Sequence, residues 1–577
     1  MMLVIILLFA CQGTSSLDVN DGDTDEPEGP QFSFALDEVH SIELELSEAG
    51  HDALIEDPYE YTPADVTIDG FEYEDVGLRL KGMWGSFIPI DSDDSYWGNG
   101  VPNKSAFIVK FDAFVEDQRH QGMEKLTINN MIQDVSRIHE YTGYSLFREG
   151  GVAAPRVTYS KVALNGAEKG LYLIVEPEDS DVFLDEWYGT NKGTLYEGVY
   201  GVDLYEWTVW EYDQDNGKDK SKEDLMELAK LLDQYFDGNA SYDDVLEEVD
   251  MDQYLTFAAT ELYLGHWDGY VWSANNYRIH HHPDGKWTFL PWGLDQTFED
   301  SLGSYAGVFS STGPHFWGGR MHQVCFASQE CLLDLQQAYD DVFERVDEMD
   351  LTAVAAEAWE VVGDIAVEEA ETYGDVNWTY WARDQVDSFI DYRSEEIEEW
   401  LPCLNGEEVD HDGDGFNGCT EDCNDYDQAV FPGAAEICNI VDDDCDGELD
   451  ESPECPRCVE EKGFDGEEYL LCFDRMEWRD AQDQCHDEGG ELASFHDQKT
   501  WEDLSWTAWD LLGDEWMWIG LNDRDVEGQY VWADGSDLDF TVLEDWNNED
   551  ADCVFNTPWA WYPSWCSEQL MSICRIF

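Results

Sequence analysis

Between residues 266 and 298 the chain reads His-Trp-Asp-Gly-Tyr-Val-Trp-Ser-Ala-Asn-Asn-Tyr and, further on, Leu-Pro-Trp-Gly-Leu-Asp-Gln-Thr-Phe. Asp268 stands just past an expected helix over 251–264. Asn275 and Asn276 open an expected strand, and Pro283-Asp284-Gly285 turns a hairpin whose return strand, 287–290, delivers Asp295. That order of loop Asp, Asn, hairpin and second Asp is what phosphoryl transfer needs. One Asp orients the acceptor hydroxyl, while an Asn and another Asp hold Mg²⁺ on the phosphates. Hard oxygen ligands suit Mg²⁺ (or Mn²⁺), and a lysine from the strand-rich region would neutralise phosphate charge. Asp268 and Asp295 also have a plain structural reading as helix caps. The histidines at 280–282 read as an exposed strand end.

A second constellation is Asp410-His-Asp412-Gly-Asp414-Gly415-Phe416, continuing to Glu421, the twelfth position counted from Asp410. Carboxylates at 1, 3 and 5, Gly at 6, the Phe416 carbonyl at 7 and a carboxylate at 12 can wrap Ca²⁺. Asp442-Asp443-Asp444-Cys445-Asp446-Gly447 repeats the first half, with Asp450 beyond. No amphipathic helices flank either loop, so this is not an EF-hand pair.

The elements that must position these residues follow from hydrophobic periodicity. Period-two runs at 41–46, 76–81, 106–111 and 156–164 predict strands, and Asn165-Gly166 predicts a hairpin turn. Helical patterns follow at 222–235, 251–264 and 351–400. Strands first and helices afterwards is an α+β order. Residues 402–456 change texture abruptly, with 18 Asp or Glu and no Lys or Arg between 401 and 455. So small an apolar content predicts folding that depends on cross-links and metal. Residues 457–577 return to a Trp-rich pattern, with an expected helix on 481–488, a buried strand on 518–521 and tight turns at Glu527-Gly528 and Asp534-Gly535.

Charge bounds the function. With 131 acidic against 29 basic residues, the 577-residue chain carries −102. Nucleic-acid binding is excluded, because phosphate neutralisation needs clustered Lys and Arg. A content of 43% hydrophobic and 14% aromatic residues excludes a disordered acidic chain. Such self-repulsion is tolerable where salt or divalent cations screen it.

The address is read from the N-terminus and the cysteines. Residues 3–10 form an apolar run too short to span a bilayer, with the length of a signal-peptide core. Leu8-Phe9-Ala10-Cys11 resembles a bacterial lipobox, which implies lipidation of Cys11 and, with Gln12 following, an outer-membrane or cell-surface position. The charged leader of such signals is missing. Residues 11–31 read as a flexible acidic tether. The other 14 of the 15 cysteines fall into groups of two (325, 331), six (403–455) and six (458–574). Even counts suit disulfides in an oxidising compartment, and Cys325 and Cys331 are expected to pair.

Three resemblances complete the reading. Arg79-Leu80-Lys81-Gly82, Lys104-Ser-Ala-Phe-Ile-Val-Lys110-Phe111, residues 126–134, Leu146-Phe147-Arg148, Ala154-Pro155-Arg156, Gly170-Leu171-Tyr172 to Glu176, Leu195-Tyr196-Glu197 and 291–295 together resemble the CotH kinase family over about 34–310. The resemblance implies a protein-kinase-like fold and ATP-dependent phosphorylation of protein Ser. By position Asp268 would be the catalytic Asp, Asn275 or Asn276 and Asp295 the Mg²⁺ ligands, Lys104 the phosphate-contacting lysine ahead of Lys110 or Lys81, and Glu176 its orienting partner. The run Met83-Trp-Gly-Ser86 and the acidic insert at 91–96 depart from the family pattern, and some surface members of the family act as adhesins. Asp422-Cys423-Asn424-Asp425, Pro432-Gly433-Ala434-Ala435-Glu436 and Cys438-Asn439 resemble the metal-binding repeat of MopE-like bacterial surface proteins.

Finally, Trp478 to Cys485, Gly489-Gly490-Glu491-Leu492, Trp518-Ile-Gly-Leu-Asn-Asp523, Trp532-Ala-Asp-Gly535, Cys553, Cys566 and Cys574 resemble the C-type-lectin fold. That resemblance implies Cys458–Cys472, Cys485–Cys574 and Cys553–Cys566. The Pro-bearing sugar tripeptide is absent, and Trp561-Tyr562-Pro563 stands where oxygen ligands are usual. Asn547, Asn548, Glu549 and Asp552 could improvise a site, and Trp559, Trp561, Tyr562 and Trp565 read as an aromatic surface or as core. The expected architecture is therefore a multi-domain α+β chain: signal 1–10, tether 11–31, CotH-kinase-like domain 32–401, acidic calcium module 402–456 and lectin-like domain 457–577. Its expected partner is a cell-surface or extracellular protein or glycan.

Overall fold

Side chains of His40–Glu45 (β1) alternate strictly between buried and exposed, with His40, Ile42 and Leu44 inward. The same inward rows continue on Thr62–Ile68 (β2), Phe71–Lys81 (β3), Ala106–Lys110 (β4), Lys125–Asn129 (β5), Val157–Leu164 (β6) and Ala167–Val175 (β7). In this computed structural model these seven strands close into a barrel, ordered β1-β2-β3-β4-β5-β7-β6. All neighbours are antiparallel except the closing pair β1–β6, which is parallel. Inside lies one apolar cluster that includes Ile42, Leu44, Val66, Leu78, Leu80, Phe107, Val109, Ile128 and Ile174. The β6–β7 turn needs φ of 50° at Asn165 and 73° at Gly166, the pair of left-handed residues that a two-residue hairpin favours.

The structure describes residues 31–577 except 38, 84–85, 92–103, 200, 219, 299–317, 405–406, 408, 420–421, 446–448, 451, 453–454, 513–515, 525, 527 and 544–550. Cys11, Glu421, Asp446, the residues at 547–549 and most of the acidic insert fall outside them. The chain divides into two compact units between residues 405 and 406.

Beyond the barrel, the first unit carries an antiparallel sheet of Thr194–Gly198 (β8), Asp213–Asn216 (β9), Tyr277–His281 (β10) and Trp287–Pro291 (β11), ordered β11-β10-β8-β9. Helix Met251–Tyr263 packs against β11 and against helix Gln329–Met349. The helical pattern expected over 351–400 is two helices, Leu351–Tyr373 and Val376–Leu404, because the chain leaves helical geometry at Gly374. Cys325 and Cys331 are bonded.

In the second unit, the stretch up to residue 455 has no helix or strand among its described residues. It is held by Cys423–Cys445 and Cys438–Cys455 and by the stacked rings of Phe416 and Phe431. Its buried residues include four carboxylates, Asp422, Asp425, Asp443 and Asp450, that cap backbone N–H groups: Asp443 takes Ile437 N at 2.9 Å, and Asp450 takes Asn439 N at 3.0 Å and Ile440 N at 3.1 Å. The rest forms a sheet of Cys458–Lys462 (β12), Glu468–Met476 (β13), Gly490–Leu492 (β14), Met517–Asn522 (β15), Val531–Trp532 (β16), Cys553–Asn556 (β17), Trp561–Ser564 (β18) and Leu570–Ile576 (β19), with helices Trp478–Asp487 and Gln498–Leu512. Cys458–Cys472, Cys485–Cys574 and Cys553–Cys566 are bonded. Every side chain of β15 is buried.

Candidate functional site

The loop that carries Asp268 is folded back on the helix before it. Glu261, in the last turn of Met251–Tyr263, accepts Tyr270 N at 3.1 Å and Val271 N at 2.8 Å. His266 is buried between Glu261, 3.5 Å from its Nδ1, and the Gly293 carbonyl, 3.1 Å from its Nε2. Burial opposes protonation of His266, but Glu261, with Asp268 and Asp295 beyond it, holds its pKa above the usual histidine value.

Asp268 is the focus of four donations. Asn275 Nδ2 reaches Oδ1 at 2.9 Å, Asn276 Nδ2 reaches Oδ2 at 2.8 Å and the Asp268 carbonyl at 3.0 Å, and Gln296 Nε2 reaches Oδ2 at 3.2 Å. Burial raises the Asp268 pKa, and the Asn275 amide, His266 and Asn276 oppose that rise. Asn276 is itself pressed against Gly293, which has φ +57°: a Cβ there would sit 2.8 Å from Asn276 Oδ1. Only glycine allows this approach in that conformation. Gly293 N also donates to Tyr144 Oη at 3.1 Å.

Asp295, two residues on, is 9% exposed. Burial pushes its pKa up to about 6; Lys81 opposes this, while Asp268 and Asp134 reinforce it. Lys81, at the end of β3, faces Glu140, Asp295, Glu197 and Arg278, and its ammonium lies 5.3 Å over the Trp292 ring. Burial lowers the Lys81 pKa against the pull of those carboxylates. Glu140, from helix His139–Glu149, accepts Asn129 Nδ2 at 2.8 Å, and burial beside Asp295 pushes it up to about 8. Arg278 lies 4.2 Å over the same Trp292 ring and is shared by Glu178, Glu197 and Asp215. The result is a set of oxygen donors, Asp268, Asp295 and the Asn276 amide, beside one lysine. Such a donor set fits Mg²⁺ or Mn²⁺.

Two of the lysines expected at the phosphates are elsewhere. Lys104, 1% exposed, donates to Glu369 Oε2 at 3.1 Å, a residue of helix Leu351–Tyr373. Burial lowers its pKa to about 8 despite Glu369. Lys110 is half-buried, 3.8 Å from Asp112. Glu176 does not orient a lysine: its carboxylate is paired with Arg156. The fold brings Lys81 and Glu140 to the cluster instead. Glu140 carries a sequence signal, since Glu140, Tyr144 and Phe147 fall at i, i+4 and i+7 on one buried helix face, where an unpaired charge is out of place. Gln296 carries none.

In the acidic module, oxygens of Asp410, Asp412 and Asp425 lie within 4.8 Å of one another, as do those of Asp412, Asp414 and Asp422, and of Glu436, Asp442 and Asp444. At that separation each pair of charges repels by about 3 kcal/mol at an effective dielectric of ~20. A divalent cation would reverse the sign of that balance. Asp422, Asp425 and Glu436 were not among the expected ligands. Phe416 gives its N–H to Asp414 Oδ1 at 2.8 Å.

In the lectin-like part, Trp561 is core rather than surface: it is fully buried against Trp501, Trp532, Phe495 and Phe540. Trp559 and Trp565 are exposed, and Trp559 meets Trp506 and Trp509 edge-on. Tyr562 is half-buried against Phe555.

Among the described residues no helix is long and apolar enough to cross a membrane. Comparison with known proteins assigns three family models: CotH kinase protein at 96–358, the Cu-binding MopE metal-binding motif at 422–451 and the lectin C-type domain at 474–576. Lectin BRA-3 of Megabalanus rosa is 30% identical over 131 residues, 21% of this chain and 78% of that lectin. The human (Homo sapiens) C-type mannose receptor 2 is 33% identical over 121 residues, 19% of this chain and 8% of the receptor. The cow C-type carbohydrate-recognition domain of CD23, solved in the presence of a GlcNAc2Man3 oligosaccharide, is 25% identical with a TM-score of 0.18, covering 21% of this chain and 94% of that one. The chain belongs to the C-type lectin domain family, and it carries that domain behind a CotH kinase domain and a MopE-type metal-binding motif.

Proposed function

We propose that the protein is an exported bacterial surface lipoprotein, anchored through Cys11, whose CotH kinase domain phosphorylates protein Ser at the expense of ATP while the lectin-like domain engages a glycan or protein on a neighbouring surface. The observation that supports the catalytic part is the fixed Asp268, clamped by Asn275, Asn276 and Gln296 beside Asp295 and Lys81. Asp268 has the basicity and immobility to orient an acceptor hydroxyl. Asp295 and Asn276 are the residues that would hold Mg²⁺ or Mn²⁺, which when bound neutralises charge on the phosphates. Lys81, in the field of Glu140 and Asp295, contributes the protein's own positive charge there. Bringing a cation to Asp295 removes the penalty that keeps its pKa near 6.

Calcium belongs to the acidic module in this reading. Eighteen carboxylates without a neighbouring Lys or Arg fold stably only when cations sit among them. The exposed Trp559 and Trp565 favour a second reading, a non-catalytic adhesin in which the kinase fold is a scaffold. Assaying purified protein for Mg²⁺- or Mn²⁺-dependent ATP consumption, wild type against Asp295→Ala, separates the two. Loss of activity in the variant supports the kinase, and a wild type that neither binds nor hydrolyses ATP leaves the adhesin.

A further inference from the structure

The linear calcium loop ends at Glu421, yet the carboxylate that the fold buries beside Asp412 and Asp414 belongs to Asp422. In each of these three residues Oδ1 is occupied by the N–H two positions on: Asp414 N at 3.0 Å, Phe416 N at 2.8 Å and Asn424 N at 2.9 Å. In each, Oδ2 is buried and has no hydrogen-bond partner. Asp422 is only 4% exposed, so its free oxygen is cut off from water, at a cost that an unpaired charge does not normally bear. The neighbouring Asp410 and Asp425 are committed to the fold: Asp410 accepts Gly413 N at 2.7 Å and Gly415 N at 3.2 Å, and Asp425 is paired with His411. Cys423 follows Asp422 directly, and its bond to Cys445 anchors that turn.

We propose that Asp412, Asp414 and Asp422 form a Ca²⁺ site in which Asp422 supplies a closing carboxylate, and that the Cys423–Cys445 disulfide holds Asp422 in place. This rests on the reading of the acidic module as a calcium module and refines it. Residues 412 and 414 lie outside the matched motif at 422–451, so the site straddles its edge. Three anionic oxygens with no nitrogen or sulfur donor select a hard cation, and their irregular arrangement suits Ca²⁺, which accepts 6–8 oxygens flexibly, better than Mg²⁺, which demands a near-ideal octahedron. The two cysteine sulfurs beside Asp422 are spent on each other and do not ligate.

The test is isothermal titration of Ca²⁺ into the EDTA-stripped full chain with its disulfides intact. Asp422→Asn is expected to remove one site or weaken it at least tenfold. The Cys423→Ala/Cys445→Ala double variant is expected to weaken the same site. Asp414→Asn, titrated in parallel with Trp fluorescence as a check on folding, separates loss of a ligand from loss of structure and is expected to match Asp422→Asn. Wild-type affinity in Asp422→Asn overturns the assignment while leaving a calcium module standing. A wild type that takes up no Ca²⁺ overturns both.

Discussion

Replacing Gly293 by alanine probes the contact that locks Asn276 onto Asp268. Two costs are expected. An L-residue held at φ +57° loses about 1–2 kcal/mol relative to glycine. The new Cβ would also meet Asn276 Oδ1 at 2.8 Å, well inside ordinary contact, so Asn276 must withdraw. In withdrawing it gives up its 2.8 Å donation to the Asp268 carboxylate, a charge-assisted bond of roughly 1.5–3 kcal/mol. The single variant should therefore lose about 3–4 kcal/mol of stability. In an Asn276→Ala background the second cost vanishes and the alanine should cost only about 1–2 kcal/mol. Urea unfolding of the four proteins of this cycle, followed through the transition of the kinase unit, measures the difference directly. An alanine penalty equal in both backgrounds would falsify the Asn276 contact as the reason for glycine at 293, and no penalty in either would refute the backbone argument too.

Other perturbations separate the lysines, the histidines and the anchor. Lys81→Met should abolish phosphoryl transfer, whereas Lys104→Met should leave it in place and cost about 1–3 kcal/mol of stability, because Glu369 loses its lysine but keeps Arg137 and the Leu171 N–H; the reverse pattern in paired ATPase and melting assays would restore Lys104 to the phosphates. His120 is enclosed by Phe32, Phe71, Tyr73 and Phe111, and burial lowers its pKa to about 4. The unfolded chain takes up that proton first, so the histidine costs stability as pH falls from about 6.5 to 4. His120→Phe should consequently gain up to about 3 kcal/mol on wild type across that window, and a stability difference independent of pH would contradict it. Metabolic labelling with a fatty acid should mark the protein, and Cys11→Ser should abolish the label.

Legibility differed between local and distant determinants. The hairpin at Asn165-Gly166, the strand alternation of β1 and the order Asp268, Asn275, Asn276, Asp295 are local, and each could be read from spacing. Lys104 could not be placed, because its partner Glu369 arrives from a helix that starts 247 residues later. Strand periodicity assigns a lysine to a face but not to what docks on that face. Glu176 was misassigned for a different reason: its partner Arg156 lies just across the β6–β7 hairpin, and strand periodicity does not choose among the cations within its reach. Trp561 read equally well as surface or core, since an alternating strand of aromatic residues does not reveal which side the second layer covers. Asp422 was not expected among the ligands, because a loop without helix or strand has no period from which to tell that its carboxylate turns inward.

The closing pair of the barrel bears on how the chain is made as well as on how it stands. β1 is joined to β6 in parallel register, Ile42 against Val162, and the Asn165 side chain clamps Leu46 through both its oxygen, at 2.7 Å, and its nitrogen, at 3.1 Å. These partners are 119 residues apart, a separation that makes closure slow relative to hairpin formation. Until β6 and β7 are available, β1 and β5 present bare strand edges, the kind of surface on which unfinished chains pair with one another. Once they join, the barrel has no edge left. An exporting cell therefore faces a window of vulnerability that ends abruptly at Val175, and a fragment cut short of that residue should aggregate where the chain extended past it does not.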